Sequence, residues 1–448
     1  MKNTSFLLII ILFFFSFGMF AQDTSLLKGK VIRLDSAKHK KYPSKIHASQ
    51  LDSLRRVWQM EEVERRTVAR KEFLANFDQL PDTLKVLKMN KLDLTEVPDI
   101  SRFYQLKELY ADGNKLTVIP KSVFSSDSLR FVNLSGNQIK RIKIPRNNTV
   151  ISLKIEAGGL QRIPFSLRKM KNLKRIYFSN TDVASAYQNQ NTIKRIPCFL
   201  KKMDSLTEIN LNYNKVKLNK AAARRLKNIK VILLAGNELE TLPENSNRLT
   251  SARRLNFSKN QLSELPASFT ELDSLKSVIF YENNFSVFPL EVCSLKNLKE
   301  LDFYYNHIDK IPLEITQLHK LERLYLSFNK IKTLPDTLRF LKNLKRLYIH
   351  HNQLVIIPQW ITEMDSLEVL DVGYNQIIDF PDISKIPNLY EVDIQDNAIG
   401  EIPWKLAKKE NLKLLFLKNN LFLEDETNRA ELKQLQKKRQ NECVIVID

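Results

Sequence analysis

Residues 321–335 read LERLYLSFNKIKTLP, and residues 344–358 read LKRLYIHHNQLVIIP. Both follow the frame L-x-x-L-x-L-x-x-N-x-L-x-x-L-P, in which successive asparagines lie 23 residues apart. The same spacing joins a longer series: Asn214, Asn237, Asn260, Asn283, Asn306, Asn329, Asn352 and Asn375. A fixed period of this length predicts a stacked array of repeats.

About fifteen copies of the frame lie between Leu84 and Phe422. The early copies are irregular, because Leu92 and Gly158 occupy asparagine places and residues 181–190 form an insertion. An insertion of this kind often projects from the edge of the array and is one candidate for a binding site, weaker than the aromatic cluster described below. The alternative is a tolerated surface loop.

The alternating stretch of each copy, such as Leu324-Tyr325-Leu326, predicts a short strand with its leucines turned inward. The x-x-N that follows predicts a turn. The proline suits the start of an outer segment, where its missing N–H costs nothing. One copy lacks the proline and continues after Leu218 with an alanine-rich stretch, which predicts a short helix. Successive strands are expected to pair in parallel.

These residues resemble the leucine-rich repeat family, and specifically the 23-residue class found in Scribble-type and Ras-suppressor-type proteins. The resemblance covers about three quarters of the chain. It implies an α/β fold, a leucine-rich repeat solenoid shaped as a curved horseshoe. A parallel sheet would form its concave face, and short helical or irregular segments its convex face. It also implies asparagines bonded to neighbouring turns and a ligand bound on the concave sheet.

Both ends of a repeat array expose apolar faces that need a cover. Leu51, Leu54 and Trp58 form a stripe in a stretch of helical composition, and a strand-like run, 443–447, follows a second helical stretch. The predicted organisation is a signal peptide at 1–21, a polar basic linker at 22–48, an N-terminal helical cap at 49–83, repeats at 84–422, and a C-terminal cap of helix plus strand at 423–448.

The first residues have the layout of a secretory signal. Lys2 precedes an apolar run from Phe6 to Phe17, and a small residue, Ala21, precedes a polar stretch. The run is shorter than the roughly 20 apolar residues of a membrane-spanning helix. The prediction is therefore an exported protein without an integral membrane anchor after cleavage. The periplasm, the medium and the cell surface all remain open.

The chain carries 71 lysines and arginines against 50 acidic residues, a formal net charge of +21. Much of this charge comes from lysines and arginines that recur at equivalent repeat places, which distributes it along the array. Denser runs at 38–45 and 433–439 could contact an anionic glycan or envelope polymer, although solvated termini are the usual explanation. A nucleic-acid ligand is not expected.

Three cysteines are too few and too scattered for a disulfide framework. Cys198 and Cys293 follow the prolines of two repeats and are expected to be buried free thiols. Cys443 is the candidate for intermolecular pairing.

No catalytic or metal motif is found. The chain has nine glycines and lacks a phosphate-binding loop, paired-cysteine zinc spacing and a His-Glu-x-x-His sequence. The sequence therefore predicts no enzyme activity, no catalytic residue, no metal site and no cofactor. It does not specify the oligomeric state.

The strongest candidate site is a cluster of aromatic residues on the outward side of the strands. Identical places in consecutive repeats stack side by side. The fifth, seventh and eighth places of the later repeats bring together an aromatic and histidine tract bordered by Asp302, Asp371 and Asp393. The predicted ligand-binding residues are Tyr281, Tyr304, Tyr305, Tyr325, Phe328, Tyr348, His350, His351, Asp371 and Tyr374.

Two explanations compete for this cluster. Tyrosine supplies a large contact area with little entropy to lose, as interface hot spots do. Alternatively, tyrosine simply favours strands. Binding is the preferred interpretation, because earlier repeats carry Asn133, Lys154, Asn210 and Asn256 at the fifth place. The predicted function is a non-enzymatic recognition or scaffold protein that holds a protein ligand on the concave face. The alternative is a binder of anionic glycan through basic edges and termini.

Overall fold

A computed structural model describes residues 48–124, 126–145, 149–181 and 189–448. For residues 48–59 only the backbone is described. The predicted signal peptide, all but the last residue of the linker, and residues 182–188 of the insertion lie outside the described residues. The apolar stripe predicted at Leu51, Leu54 and Trp58 falls where side chains are not described.

The chain divides into two compact units after Glu62. In the first unit the described residues form the beginning of helix α1, which runs Ala48–Asn76. The second unit, Val63–Asp448, contains the end of α1 and every strand that the structure describes. None of the described helices is both long and apolar enough to cross a membrane.

Short strands recur along the second unit, eighteen of them within the described residues. They are β1 (Val86–Lys88), β2 (Glu108–Tyr110), β3 (Val118–Ile119), β4 (Phe131–Asn133), β5 (Arg141–Ile142), β6 (Ser152–Lys154), β7 (Arg175–Tyr177), β8 (Glu208–Asn210), β9 (Val231–Leu233), β10 (Arg254–Asn256), β11 (Ser277–Ile279), β12 (Glu300–Asp302), β13 (Arg323–Tyr325), β14 (Arg346–Tyr348), β15 (Val369–Asp371), β16 (Glu391–Asp393), β17 (Leu414–Phe416) and β18 (Val444–Val446).

Sixteen of these strands form one parallel sheet in chain order, and β3 pairs separately with β5. Register follows the repeat, so that Leu324 lies opposite Leu301 on one side and Leu347 on the other. The middle residue of each strand is buried, while its neighbours at the third and fifth places face outward. The predicted parallel-sheet solenoid is confirmed.

The outer segments after the prolines are mostly 3-10 helices. Pro289, Pro312 and Pro335 precede three of them with φ between −71° and −73°, close to the value that the ring imposes. The 3-10 segments are Phe77–Gln79, Lys121–Phe124, Phe165–Lys169, Cys198–Lys202, Ser246–Arg248, Ala267–Glu271, Leu290–Ser294, Leu313–Gln317, Asp336–Phe340, Gln359–Glu363 and Leu421–Leu423.

Three further helices are α-helical: α2 (Lys220–Arg225), α3 (Trp404–Ala407) and α4 (Glu426–Arg439). Helix α2 is the short helix predicted where the proline is missing. Asn219 caps it, since its side chain accepts hydrogen bonds from the backbone N–H groups of Ala221 and Ala222.

The asparagines form the expected ladder of buried amides. Asn329 donates through Nδ2 to the carbonyl of Phe303 at 2.9 Å and to that of Leu326 at 3.0 Å. Its Oδ1 accepts from the backbone N–H of Ile308 at 2.9 Å. Each amide thus joins its own turn to the preceding repeat, and these partners are backbone groups that need satisfying.

The ladder also explains how the irregular early repeats persist. Gly158 has no amide to offer, but Asn191 of the next repeat accepts from the N–H groups of Gly158 and Leu160 at 3.2 and 2.7 Å. Leu92 is buried, and its N–H donates to Asn114 Oδ1 at 3.0 Å. A missing asparagine therefore removes only one of the two bridges that hold a repeat.

Aromatic packing holds the end of α1 on the first repeat. The rings of Phe73 and Phe77 lie 5.4 Å apart, and Phe77 meets Phe103 edge-on at 5.7 Å. At the other end, the buried Arg439 of α4 donates to the carbonyls of Ala407 and Lys409. Part of the basic run at 433–439 is therefore structural. The cap assignments themselves remain predictions.

Two cysteine predictions are wrong. Cys198 is exposed, because it opens a 3-10 segment in which the next residues, Phe199 and Leu200, take the inward positions. Cys443 is buried just before β18, so its thiol is not available for intermolecular pairing. Cys293 is buried, as expected.

Candidate functional site

The outward side of the sheet is a grid of side chains, one row per repeat. The third and fifth places belong to the strands, but the seventh and eighth places lie beyond them in the turn. The seventh and eighth places thus fall in the turn predicted for x-x-N, and their side chains, expected on the outward side of the strands, project from that turn. The eighth residue of most repeats lies in the left-handed region of φ.

Left-handed backbone at the eighth place is shared by early and late repeats. Early repeats often place glycine there, as at Gly113, Gly136 and Gly236, with φ of 69°, 62° and 62°. Glycine adopts this conformation without steric cost. In later repeats the same place carries large rings: Tyr305, Phe328, His351 and Tyr374, with φ between 51° and 55°.

These four rings form what we call the stacked column. Tyr305 and Phe328 lie 4.1 Å apart between centroids, Phe328 and His351 3.9 Å, and His351 and Tyr374 4.1 Å. The planes of successive rings differ by 20° or less. The two inner rings therefore have both faces covered, and the column presents ring edges to solvent.

A second pair of rings lies on the strands. Tyr325 and Tyr348 occupy the fifth places of β13 and β14, directly opposite in register, and stack at 5.0 Å with planes 3° apart. Both are partly buried. The flanking fifth places are acidic, with Asp302 on β12 and Asp371 on β15.

Rings at the seventh places contact one another and the stacked column. Tyr281 contacts Tyr304 at 5.5 Å, and Tyr304 meets His350 edge-on at 5.6 Å. The rings of Tyr304 and His350 come from β12 and β14 repeats, and Ser327 lies between them with its hydroxyl buried and without a hydrogen-bond partner. The ten predicted residues thus share one continuous face.

The adjacent histidines both lie on this face, because the turn begins between them. Their Nδ1 atoms are 2.8 Å apart, so one ring donates a hydrogen bond to the other. His350 Nε2 lies 3.8 Å from Asp371 Oδ2. Burial lowers the pKa of His350 to about 3, with His351 as a secondary cause, and burial also lowers the pKa of His351.

The tyrosines of the tract, like the histidines, are uncharged at neutral pH. Burial raises the pKa of Tyr325 and of Tyr374 to about 12, and it raises the pKa of Tyr304 and Tyr348 further. The aromatic tract is therefore uncharged at pH 7, although the chain as a whole is strongly basic.

Carboxylates border the uncharged tract, and their pKa values move upward. Burial raises the pKa of Asp302 and of Asp393 to about 7. It also raises the pKa of Asp371, with the neighbouring Asp393 as the second cause. Asp371 and Asp393 face each other in register on β15 and β16.

Two tyrosines of early repeats also occupy the fifth place, and the sequence analysis did not include them when it contrasted early with late repeats. Tyr110 on β2 and Tyr177 on β7 occupy that place. Their neighbours in register include Asn133, Lys154 and Asn210, which do not extend a ring stack. The contrast between early and late repeats thus lies in stacking between neighbours, which a one-place count does not detect.

Among the described residues, no group of three or more histidine, cysteine or acidic side chains could hold a metal ion. The nearest approach is the His350, His351 and Asp371 arrangement, in which the histidines share a hydrogen bond with each other.

A family profile for the leucine-rich repeat region matches residues 290–394. A leucine-rich repeat protein of Leptospira interrogans superimposes with a TM-score of 0.65 at 26% identity, covering 83% of this chain and 98% of that one. The chain is a leucine-rich repeat protein. Its class within the family remains a prediction.

Two further relatives of this leucine-rich repeat protein are more distant. An internalin of Listeria monocytogenes superimposes with a TM-score of 0.52 at 21% identity over 71% of this chain and 82% of its own, a likeness of fold alone. Podocan of Mus musculus is 23% identical over 202 residues, which cover 35% of this chain and 33% of podocan. The match thus spans about a third of podocan.

Proposed function

We propose that the protein is an exported, non-enzymatic recognition module that binds a protein ligand on the concave face of the later repeats. The observation that carries this proposal is the stacked column of four rings at left-handed turn positions. Export is supported by the signal-like sequence at residues 1–21.

Strand propensity does not account for the column. Its rings follow the strands, at a place where a side chain costs roughly 1–2 kcal/mol relative to glycine. Early repeats avoid that cost at Gly113, Gly136 and Gly236. Other repeats place Lys91, Ala157 and Lys259 there with the same left-handed backbone, so the frame itself requires the conformation. What distinguishes the later repeats is that four consecutive repeats carry a ring at this place.

The form of the tract favours a protein ligand. Phe328 and His351 have both ring faces covered, which leaves no open face there for a sugar ring to stack on. The tract is uncharged at neutral pH and offers tyrosine hydroxyls beside apolar ring edges, a combination common in protein interfaces. An anionic polymer would find its positive partners elsewhere on the chain.

The test is affinity capture from the native extracellular surroundings with three forms of the full chain. The first is the unaltered protein and the second carries Tyr325→Ala with Tyr348→Ala. The third carries Tyr110→Ala with Tyr177→Ala, which removes two tyrosines from the same fifth place in early repeats. The ligand should be captured by the first and third forms only.

Circular dichroism on all three forms checks that the fold is kept. Equal capture by all three forms would contradict the proposal. Capture that survives the late substitutions but disappears at moderate salt would favour the anionic polymer, since such binding falls steeply as salt rises.

A further inference from the structure

Basic side chains follow one another at the second place of the frame, directly before the strands. The backbone N–H of Arg253 donates to the carbonyl of Lys230 at 2.8 Å, and that of Lys276 donates to Arg253 at 2.8 Å. These residues are therefore consecutive rungs of the sheet, about 4.8 Å apart. Lys174 precedes them, with Thr207 as the rung between. We call Lys174, Lys230, Arg253 and Lys276 the basic row, and all four side chains are exposed.

The same place alternates in charge in the later repeats. Lys299 pairs with Glu322 at 2.6 Å, and Lys345 pairs with Glu368 at 3.4 Å. Within the described residues, no member of the basic row forms an ion pair. Like charges directly opposite each other in a sheet are destabilising. Because the later repeats accept an acid at this place, the frame does not require the basic run.

A further cation lies beside the row. Arg254 occupies the third place of β10, and its neighbours in register, Val231 and Ser277, carry no charge. Its Nε is buried without a hydrogen-bond partner, and Arg254 forms no ion pair with any described residue. A guanidinium that a protein carboxylate holds donates through its N–H groups. The charge of Arg254 is therefore not met by the part of the protein that the structure describes.

The surroundings of the row indicate what kind of polyanion fits. The second, third and fifth places of the four repeats from β8 to β11 carry no aromatic ring. Single-stranded nucleic acids bind largely by stacking bases on such rings. The fifth places of β8 and β10 are Asn210 and Asn256. Their Oδ1 atoms accept backbone N–H groups nearby, which turns the Nδ2 donors towards other acceptors.

We propose that the basic row and Arg254 bind an acidic polysaccharide that carries carboxylate or sulfate groups along its chain. Sugar rings are rigid and similar in length to the spacing of the rungs, so their charges lose little conformational entropy on binding. A glutamate side chain, in contrast, loses rotamer freedom when it is held. Hydroxyl groups of the sugars would accept from the asparagine amides. This site is separate from the aromatic tract and does not rest on the proposed function.

The test measures binding of the full chain to immobilised alginate and to dextran sulfate over a range of salt concentrations. Arg253→Glu gives the centre of the row the alternating pattern of Lys299 and Glu322. Affinity for the polymer that binds should fall about tenfold or more. The melting temperature should not fall, because the new carboxylate lies between Lys230 and Lys276. Loss of binding is then not a loss of fold.

A double variant and its control count the charges. Lys230→Gln with Lys276→Gln should lower the slope of log affinity against log salt by roughly two, one for each cation removed. The control, Lys310→Gln with Lys332→Gln, makes the same charge change at two exposed lysines that follow the asparagine turns. It should bind within about twofold of the unaltered chain at physiological salt.

Four other results would overturn the inference. They are failure of both polymers to bind at low salt, equal losses in the row and control variants, and tighter binding of oligothymidylate or of polyglutamate than of either polymer. The second would reduce the effect to net charge, and the last two would assign the row to nucleic acid or to acidic protein. None of them bears on the protein ligand, which the late tyrosines test separately.

Discussion

The early and late parts of the sheet share one core and differ in what they display. Asn137 and Asn329 make the same three hydrogen bonds, to backbone groups of their own and the preceding repeat. At the eighth place, however, Gly136 stands in the first of these repeats and Phe328 in the second. Both parts need the asparagine ladder to fold, which explains why it is common to them. The fold does not need the rings at the eighth place of the late part.

The largest expected effect tests the shared core. Asn329→Ala leaves the N–H of Ile308 buried and unpaired, while the carbonyls of Phe303 and Leu326 each keep a bond from a neighbouring asparagine, so the free energy of unfolding should fall by about 2–3 kcal/mol. Asn137→Ala should cost the same within about 1 kcal/mol. Urea denaturation measures both, and a much smaller loss in either repeat would show that the two parts differ in their cores.

A smaller effect concerns the acidic border of the late part. Asp371→Asn with Asp393→Asn should stabilise the protein by about 1–3 kcal/mol at pH 7.5, a figure reduced for partial exposure. The folded pKa values are raised, so these groups favour folding below the unfolded pKa and lose that contribution as pH rises towards about 7.

At pH 4 the same substitutions should have little effect, since both carboxyl groups are then largely protonated in the folded protein. Thermal melts of wild type and variant at the two pH values make the comparison. The lowered pKa of His350 makes stability rise with pH, the opposite of the aspartates. Because His350 is present in both wild type and variant, its contribution cancels in the comparison. An equal gain at both pH values would contradict the account.

Removing one ring should change stability less. Phe328→Gly removes roughly 1 kcal/mol of strain from the left-handed backbone. It also removes the stacking of Phe328 on two neighbouring rings, an energy of about the same size. The free energy of unfolding should change by less than about 1 kcal/mol, while ligand binding falls. A loss of about 3 kcal/mol in urea denaturation would make the column a stabilising core and not a display.

The smallest effect separates two buried hydroxyls. Ser327→Ala removes an unpartnered hydroxyl and should leave stability unchanged or raise it by up to about 1 kcal/mol. Ser277→Ala is the matched change, because Ser277 Oγ donates to Glu300 at 2.7 Å, and it should lower stability by about 1 kcal/mol. Loss of stability in Ser327→Ala would indicate that its hydroxyl is satisfied.

Much of this arrangement could be read from the repeat itself. Because the period sets which places coincide, the frame around Asn329 predicted the parallel sheet, the buried leucines and the ring cluster. The frame predicted a turn at x-x-N but carries no information on φ, so the sequence did not show that Tyr305 and Phe328 adopt left-handed backbone there. The close packing at Gly373 was also invisible, because it depends on the approach of Asp393, whose Oδ1 would lie 2.9 Å from a Cβ at that position.

The cysteines show the same limit at the single-residue level. Cys198 and Cys293 both follow a repeat proline, yet one is the first residue of its 3-10 segment and the other the fourth. The position of each cysteine around its short helix decides whether the side chain is buried. Membership of an outer segment does not fix that position.

The most direct test of the account is hydroxyl-radical footprinting of the captured complex against the free protein. Tyr305 and Tyr374, each 42% exposed in the free chain, should lose reactivity when the ligand binds. Tyr110 and Tyr177 on the early strands should react as before. Protection of the late tyrosines alone would confirm the late face as the binding surface, and protection confined to the early tyrosines or to neither pair would contradict it.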